Sequence, residues 1–212
     1  MKRKFKIGLI IILLVAILSL LVYSCIKLTK SDDKQEVEKL DNIPSYGYSI
    51  DKRDTKLMKD EFKELKKVLS SEDVNYEDYA KSLSKLFVID LFTIDNKINK
   101  YDVPCLEYIL EDNIDNFSNN VSDTLYKYVI DNTNKKRNQE LPQVSSVIVE
   151  NVEVLESSYK DEPYEGYKAN VEWTYLKDLG YDTSGIIKLI KKNNKLYVIG
   201  YETSEVTDEA NN

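Results

Sequence analysis

The chain has 212 residues, with 30 basic and 37 acidic side chains, a net charge of −7 and no histidine. The absence of histidine removes the side chain that most often serves as a catalytic base or metal ligand. Residues 1–30 hold six Lys or Arg and no acid, so the remaining chain has 24 basic and 37 acidic residues and a net charge of −13. Such a domain repels phosphate backbones, which argues against nucleic acid as a partner.

An uncharged apolar stretch over residues 7–26 directly follows the basic segment 1–6. A helix rises about 1.5 Å per residue, so this stretch spans roughly 30 Å, the thickness of the hydrocarbon core of a bilayer. The pattern predicts a transmembrane helix embedded in the lipid bilayer. The basic residues before it predict a cytoplasmic N-terminus, and hence a single-pass plasma-membrane protein with an extracytoplasmic C-terminal domain.

Two alternatives to an uncleaved anchor stay open. A lipoprotein signal would place the lipidated cysteine at Cys25, although Tyr23 before it and Ile26-Lys27 after it are not typical of such sites. A cleaved signal peptide has a shorter apolar stretch and an A-x-A-like site, which the sequence does not show. The second cysteine, Cys105, lies in the domain, so no internal disulfide is expected.

A polar tether is predicted over residues 27–50, which carry charges of both signs together with Pro44 and Gly47. A folded domain is predicted over residues 51–203 and a disordered tail over residues 204–212. Three segments of the domain carry apolar residues at helical spacing and predict helices over 54–69, 76–93 and 114–130.

The apolar pattern changes after Pro142 to β-branched and alternating residues. Four strands are predicted, over 144–158, 167–176, 184–191 and 195–201. Asn193 and Asn194 predict a tight hairpin turn between the last two, because Asn tolerates positive φ. Helices followed by antiparallel strands predict an α+β domain in which three helices cover one face of a curved sheet.

The order of elements, together with the final hairpin over residues 193–201, resembles the NTF2-like fold, a cone of three helices wrapped by a bent antiparallel sheet. The resemblance covers roughly residues 50–203. A membrane-anchored NTF2-like domain is similar in layout to the VirB8-type and TcpC-type components of bacterial conjugation machines. It is also similar to small anchored proteins of low-GC Gram-positive bacteria. The resemblance implies the fold and matches no functional residue of those proteins.

Asp90 is the candidate catalytic residue, because it interrupts the apolar run over residues 86–92. A buried carboxylate is costly unless it is paired, and burial raises its pKa. NTF2-like enzymes place carboxylates and tyrosines in the cavity of the cone, where a raised pKa suits acid–base chemistry. The structural alternative is that Asp90 lies at the solvent edge of its helix or caps backbone amides.

Other residue types are weaker candidates. Glu111, Asp112 and Asp115 suggest a divalent-cation site but lack the glycine and closing glutamate of an EF-hand, which favours a solvated helix start. Cys105 is interpreted as a buried structural cysteine rather than a reactive thiol. Eight tyrosines are expected to line either a pocket or interface, or the core and its rim: Tyr76, Tyr79, Tyr101, Tyr108, Tyr126, Tyr128, Tyr175 and Tyr197.

Two functional hypotheses follow from these patterns. The first is a non-enzymatic extracytoplasmic module that binds another protein, or a second copy of itself, through its sheet or its helix surface. The second is a small-ligand binder or enzyme that uses the cavity of the cone, with Asp90 and nearby tyrosines as polar groups. No metal or cofactor is predicted, because the sequence has no zinc spacing, phosphate-binding loop or nucleophile elbow.

Overall fold

A computed structural model of the protein describes residues 38–203. These residues form three α-helices against a four-stranded antiparallel sheet, together with a separate two-stranded sheet. The elements in chain order are β1 (Lys39–Ile43), β2 (Tyr48–Asp51), α1 (Lys56–Leu69), α2 (Tyr76–Phe92), two short 3-10 helices (Leu106–Tyr108 and Glu111–Asn113), α3 (Ile114–Asp123), β3 (Val144–Tyr159), β4 (Glu162–Tyr175), β5 (Ser184–Lys192) and β6 (Lys195–Thr203). The predicted α+β class is confirmed.

Several predictions fall outside the described residues. They concern the basic segment 1–6, the transmembrane helix 7–26, the start of the tether and the tail 204–212. Among residues 38–203, no helix has both the length and the apolar character needed to cross a bilayer. The membrane anchor therefore stays a prediction from the sequence.

Part of the segment predicted as a tether is folded, which corrects the predicted domain boundary. β1 and β2 form an antiparallel hairpin that closes at Gly47, whose φ of 71° suits glycine. Ile43, Tyr48 and Ile50 are buried in the core. Their burial stabilises the hairpin although the surrounding sequence is polar, so folded structure is present from residue 39 of the described chain rather than from residue 51.

The first two helices follow the prediction closely. α1 begins at the cap Thr55, whose hydroxyl accepts the Met58 backbone N–H at 3.1 Å, and it buries one apolar face. α2 begins at the cap Asn75, whose side chain accepts the backbone N–H groups of Glu77 and Asp78. Eleven of the 17 residues of α2 are buried, because the helix lies between α1 and the sheet.

The third helix is shorter than predicted, ending at Asp123 instead of residue 130. The Thr124 hydroxyl donates to the Asn120 carbonyl at 2.7 Å and competes with the helical backbone bonds. The chain then turns, and Tyr126 becomes fully buried with its hydroxyl on the Leu91 carbonyl of α2, 2.9 Å away. The helix therefore ends where the burial of Tyr126 stabilises the fold more than a further helical turn would.

The large sheet has the strand order β3-β4-β5-β6 with every neighbour antiparallel. β3 is a 16-residue edge strand that pairs with β4 from Val144 to Tyr159, with bulges near residues 145 and 150. Asn193 and Asn194 have φ of 52° and 62° in the turn between β5 and β6, as predicted. The face of the sheet towards α2 is apolar, and the Trp173 ring of β4 lies 4.8 Å from the Phe92 ring of α2.

Candidate functional site

Asp90 forms a nearly buried ion pair near the end of α2. Its Oδ1 accepts from the Lys97 ammonium at 2.7 Å, and its Oδ2 accepts the backbone N–H of Cys105 at 3.2 Å. The two charged side chains are 13% and 6% exposed. Burial opposes the charge on Lys97, but the attraction of Asp90 and its hydrogen bond outweigh this cost and raise the pKa of Lys97. Asp90 thus holds the 97–105 loop against α2.

Two further carboxyl groups lie close to the Asp90–Lys97 pair. Burial raises the pKa of Asp54 to about 6 and that of Glu107 to about 7, and the negative charge of Asp90 adds to both shifts. Asp54 also accepts the backbone N–H of Asp51 at 2.6 Å, at the junction of β2 and α1. These carboxyl groups are protonated in part near neutral pH, which links the charge of this region to the acidity of the medium.

The residues considered for thiol chemistry or cation binding make contacts that stabilise the fold. Cys105 is buried, as predicted, with its thiol 3.5 Å from the Phe87 carbonyl, and burial raises the pKa of that thiol well above its usual value. Asp112 pairs with Lys160 at 2.6 Å and accepts from the Tyr159 hydroxyl at 3.1 Å. Within residues 38–203, no group of three acidic or Cys side chains is placed to hold a metal ion.

The predicted tyrosines separate into core and surface positions. Tyr79, Tyr108 and Tyr126 are buried, whereas Tyr101 and Tyr128 are more than 70% exposed. The remaining three, Tyr76, Tyr175 and Tyr197, are half-buried. The structure therefore places most of these tyrosines in the core or at its rim.

A hydrogen-bonded tyrosine pair connects three elements in the core. The hydroxyls of Tyr48 and Tyr79 lie 2.5 Å apart. The Tyr48 hydroxyl donates to the Leu196 carbonyl at 3.1 Å, and the Leu196 backbone N–H donates to the Tyr79 hydroxyl at 3.3 Å. The pair therefore connects β2, α2 and β6, and these hydrogen bonds satisfy the two buried hydroxyl groups.

Among the described residues, a pocket of about 530 Å³ lies between α2, α3 and β6. Its floor is apolar and is formed by Phe87, Leu91, Phe92, Phe117, Val121 and Val198. Its rim carries amide and hydroxyl groups of α3 and of the residues directly before and after it: Asn113, Asn116, Asn120 and Thr124. Neither Asp90 nor any of the eight predicted tyrosines lines this pocket, so the predicted polar groups and the pocket are in different places.

Two polar residues at the sheet side of the pocket were not predicted. Asp182 precedes β5, and Tyr201 lies on β6 with its ring 5.5 Å from the Phe92 ring. The Tyr201 hydroxyl donates to Asp182 Oδ2 at 3.4 Å, and burial raises the pKa of Tyr201. Asp182 belongs to a loop without a periodic pattern, whereas the i, i+4 spacing of Asn116 and Asn120 places both on one face of α3.

These observations define the class of the protein as an α+β domain with a pocket between helices and a sheet edge. No protein-family model, curated protein or solved structure matches the chain. The function of the protein is therefore inferred from the geometry of the domain and from the N-terminal sequence.

Proposed function

We propose that the protein is a single-pass, membrane-anchored interaction module whose extracytoplasmic domain is NTF2-like and has no catalytic activity. The apolar segment 7–26 and the basic residues before it support the anchor and its orientation. The three helices against a four-stranded antiparallel sheet are compatible with the NTF2-like resemblance. The acidic balance of the domain disfavours nucleic acid and an anionic bilayer surface as partners.

The free edge of β3 is the observation that carries this proposal. Among the described strands, β3 pairs only with β4 along its 16 residues, so one edge of its backbone is unpaired. Proteins usually protect such edges with charged side chains (lysine above all), proline, bulges or a short strand. Residues 144–159 contain no Lys, Arg or Pro, although two bulges interrupt the edge. Ile148 and Val154 are also more than half exposed on this strand.

The charges of β3 favour another protein over a second copy of this chain. Glu150, Glu153 and Glu156 are exposed along the strand, and Glu153 pairs with Lys168 of β4 at 3.5 Å. Antiparallel pairing of two β3 strands about Glu153 would bring these carboxylates opposite each other, which is destabilising. An extended segment rich in Lys or Arg would instead add to the edge by backbone hydrogen bonds and neutralise the acids. We therefore propose a basic protein segment as the partner.

The placement of Asp90 supports a non-catalytic domain. Lys97 and the Cys105 backbone N–H occupy both of its oxygens, and the pocket lies elsewhere. A general acid or base needs hydrogen-bond reach to its substrate. The enzymatic alternative with Asp90 therefore has less support than binding.

The test uses the full-length protein in its own cells, with a photo-crosslinking side chain at Ile148 or Leu155 of β3. The matched control position is Ile130, an exposed residue (59%) in the loop after α3. The proposal expects one protein adduct from both β3 positions and none from Ile130. Glu156→Lys should weaken that adduct, and Glu64→Lys, the same charge change on the exposed surface of α1, should leave it unchanged. Adducts only with a second copy of the chain, or equal adducts from Ile130, would overturn it.

A further inference from the structure

The pocket between α2, α3 and β6 has the features of a small-molecule site. Its volume of about 530 Å³ falls in the range of known ligand pockets, roughly 300–1,000 Å³. Known sites of this kind combine apolar walls with a few converging polar groups. We propose that this pocket binds a small amphipathic amine, with an aromatic or aliphatic body on the floor and a cationic nitrogen at Asp182.

The floor determines the apolar part of the ligand. Phe87 and Phe117 face each other across α2 and α3 with ring centroids 6.1 Å apart. Phe92 also lines the floor, and its ring packs against the Trp173 ring with centroids 4.8 Å apart. Aromatic walls of this kind bury a hydrocarbon or phenyl group with favourable contacts. The apolar body of the amine would therefore lie between α2 and α3.

The charge of the pocket determines the polar part. Asp182 is the one ionisable acid among the residues that line it, and no Lys or Arg lines it. Asp182 is exposed and makes no ion pair with any residue of the described range 38–203. The Tyr201 hydroxyl donates to its Oδ2, and the Tyr175 hydroxyl donates to its backbone carbonyl at 2.8 Å. These hydrogen bonds hold the Asp182 carboxylate at the pocket, where its negative charge can attract a cation.

The side-chain amides of α3 can hydrogen-bond a ligand but do not distinguish a charged ligand from a neutral one. Asn116 and Asn120 are exposed at the rim, and each amide both donates and accepts. A hydroxyl or an amine could use these groups equally well. The preference for a cation over a neutral ligand therefore depends on Asp182.

Three probes with the same phenyl body and different charge test this proposal: phenethylammonium, phenethyl alcohol and phenylpropanoate. The full chain is placed in phosphatidylcholine nanodiscs, and empty nanodiscs give the blank for partitioning into lipid. Ligand-observed NMR titration gives the dissociation constants. We expect phenethylammonium to bind about fivefold more tightly than the alcohol, as for an exposed ion pair, and phenylpropanoate to bind most weakly.

Variants distinguish binding in the pocket from a general effect of the protein's charge. Asp182→Asn should remove the preference for the ammonium and leave the affinity for the alcohol unchanged. Asp161→Asn makes the same charge change in the exposed β3–β4 turn, where φ is 66° and Asn is tolerated, and should keep the preference. Asn120→Phe should weaken all three probes by filling the rim. Equal binding of the ammonium and the alcohol, a preference that survives Asp182→Asn, or no binding of any probe would overturn the proposal.

Discussion

The Lys97 ammonium lies 2.7 Å from Oδ1 of Asp90, and both side chains are almost completely shielded from water. A buried ion pair contributes little compared with an apolar pair, but losing one partner leaves an uncompensated buried charge. The pair joins α2 to the loop that follows it, where Cys105 also donates its backbone N–H to Asp90. Asp90, the catalytic candidate of the sequence, thus connects α2 to this loop, and its bond to a backbone N–H agrees with the structural alternative given above.

Lys97→Met should destabilise the domain by about 3–5 kcal/mol, because the Asp90 carboxylate stays buried without its cation. The double variant Asp90→Leu with Lys97→Met should recover most of this loss. Lys63→Met is the control, since Lys63 is 70% exposed in its pair with Asp60 and should cost less than about 1 kcal/mol. Urea unfolding of the full chain in micelles, followed by circular dichroism, measures all three. A double variant no more stable than Lys97→Met would contradict this account.

The stability of the domain should fall as the pH rises from about 5 to about 8. Glu107 and Asp54 have pKa values of about 7 and about 6 in the folded state, above the ordinary values of 4.5 and 3.8. Because the folded state binds more protons than the unfolded state in this window, its free energy of unfolding decreases with pH. We expect a loss of roughly 2–4 kcal/mol from the two groups together, at about 1.4 kcal/mol per pKa unit.

Glu107→Gln tests the origin of that pH dependence. An amide does not titrate, so the variant should show a shallower decrease between about pH 5 and pH 8 in the same unfolding measurement. Glu64→Gln serves as the control, since Glu64 is an exposed residue of α1. An unchanged slope in Glu107→Gln would show that another group is responsible.

The sequence predicted the parts of the fold that depend on repeated patterns. The apolar spacing of α1, the nearly continuous apolar run of α2 and the Asn193-Asn194 turn all correspond to observed elements. The β1–β2 hairpin was missed because its short strands bury only a few separated residues within a charged segment. Their burial depends on α1 and β6, which a local pattern does not show.

The candidate site was harder to predict than the fold. The sequence indicated that Asp90 would need a partner if it were buried, but that partner, Lys97, lies seven residues away beyond the end of the helix, in a loop without periodicity. The pocket brings residues of α2 and α3 together with Asp182 and Tyr201, which lie at least 57 residues further along the chain than Leu125. Its composition depends on tertiary packing and therefore has no local signature.

The hydroxyl of Tyr79 should contribute to stability, whereas that of Tyr108 should not. Tyr79→Phe leaves the Leu196 backbone N–H without its acceptor and should cost about 1–3 kcal/mol. Tyr108 is fully buried, and its hydroxyl has no hydrogen-bond partner within the described part of the chain. Tyr108→Phe should therefore be neutral or stabilising by about 1 kcal/mol. Equal destabilisation by both variants, in the same urea assay, would contradict this assignment.

The proposed topology can be measured with cysteines of known exposure. In a Cys25→Ser background, Cys105 is the remaining cysteine and is 1% exposed, so it should not react with a membrane-impermeant maleimide. Tyr128→Cys introduces a thiol at a position that is 77% exposed in the native domain. Because the domain is proposed to lie outside the cytoplasm, this thiol should be labelled in intact cells.

Lys4→Cys provides the opposite control, since the basic segment 1–6 is predicted to be cytoplasmic. Its thiol should be labelled only after the cells are broken. Labelling of Lys4→Cys but not Tyr128→Cys in intact cells would reverse the topology, and the extracytoplasmic partner proposed for β3 would then have no access to it. The intact mass of the wild-type protein distinguishes a lipid anchor from a transmembrane anchor. A lipoprotein lipidated at Cys25 would have lost residues 1–24, whereas a protein with an uncleaved transmembrane helix retains them.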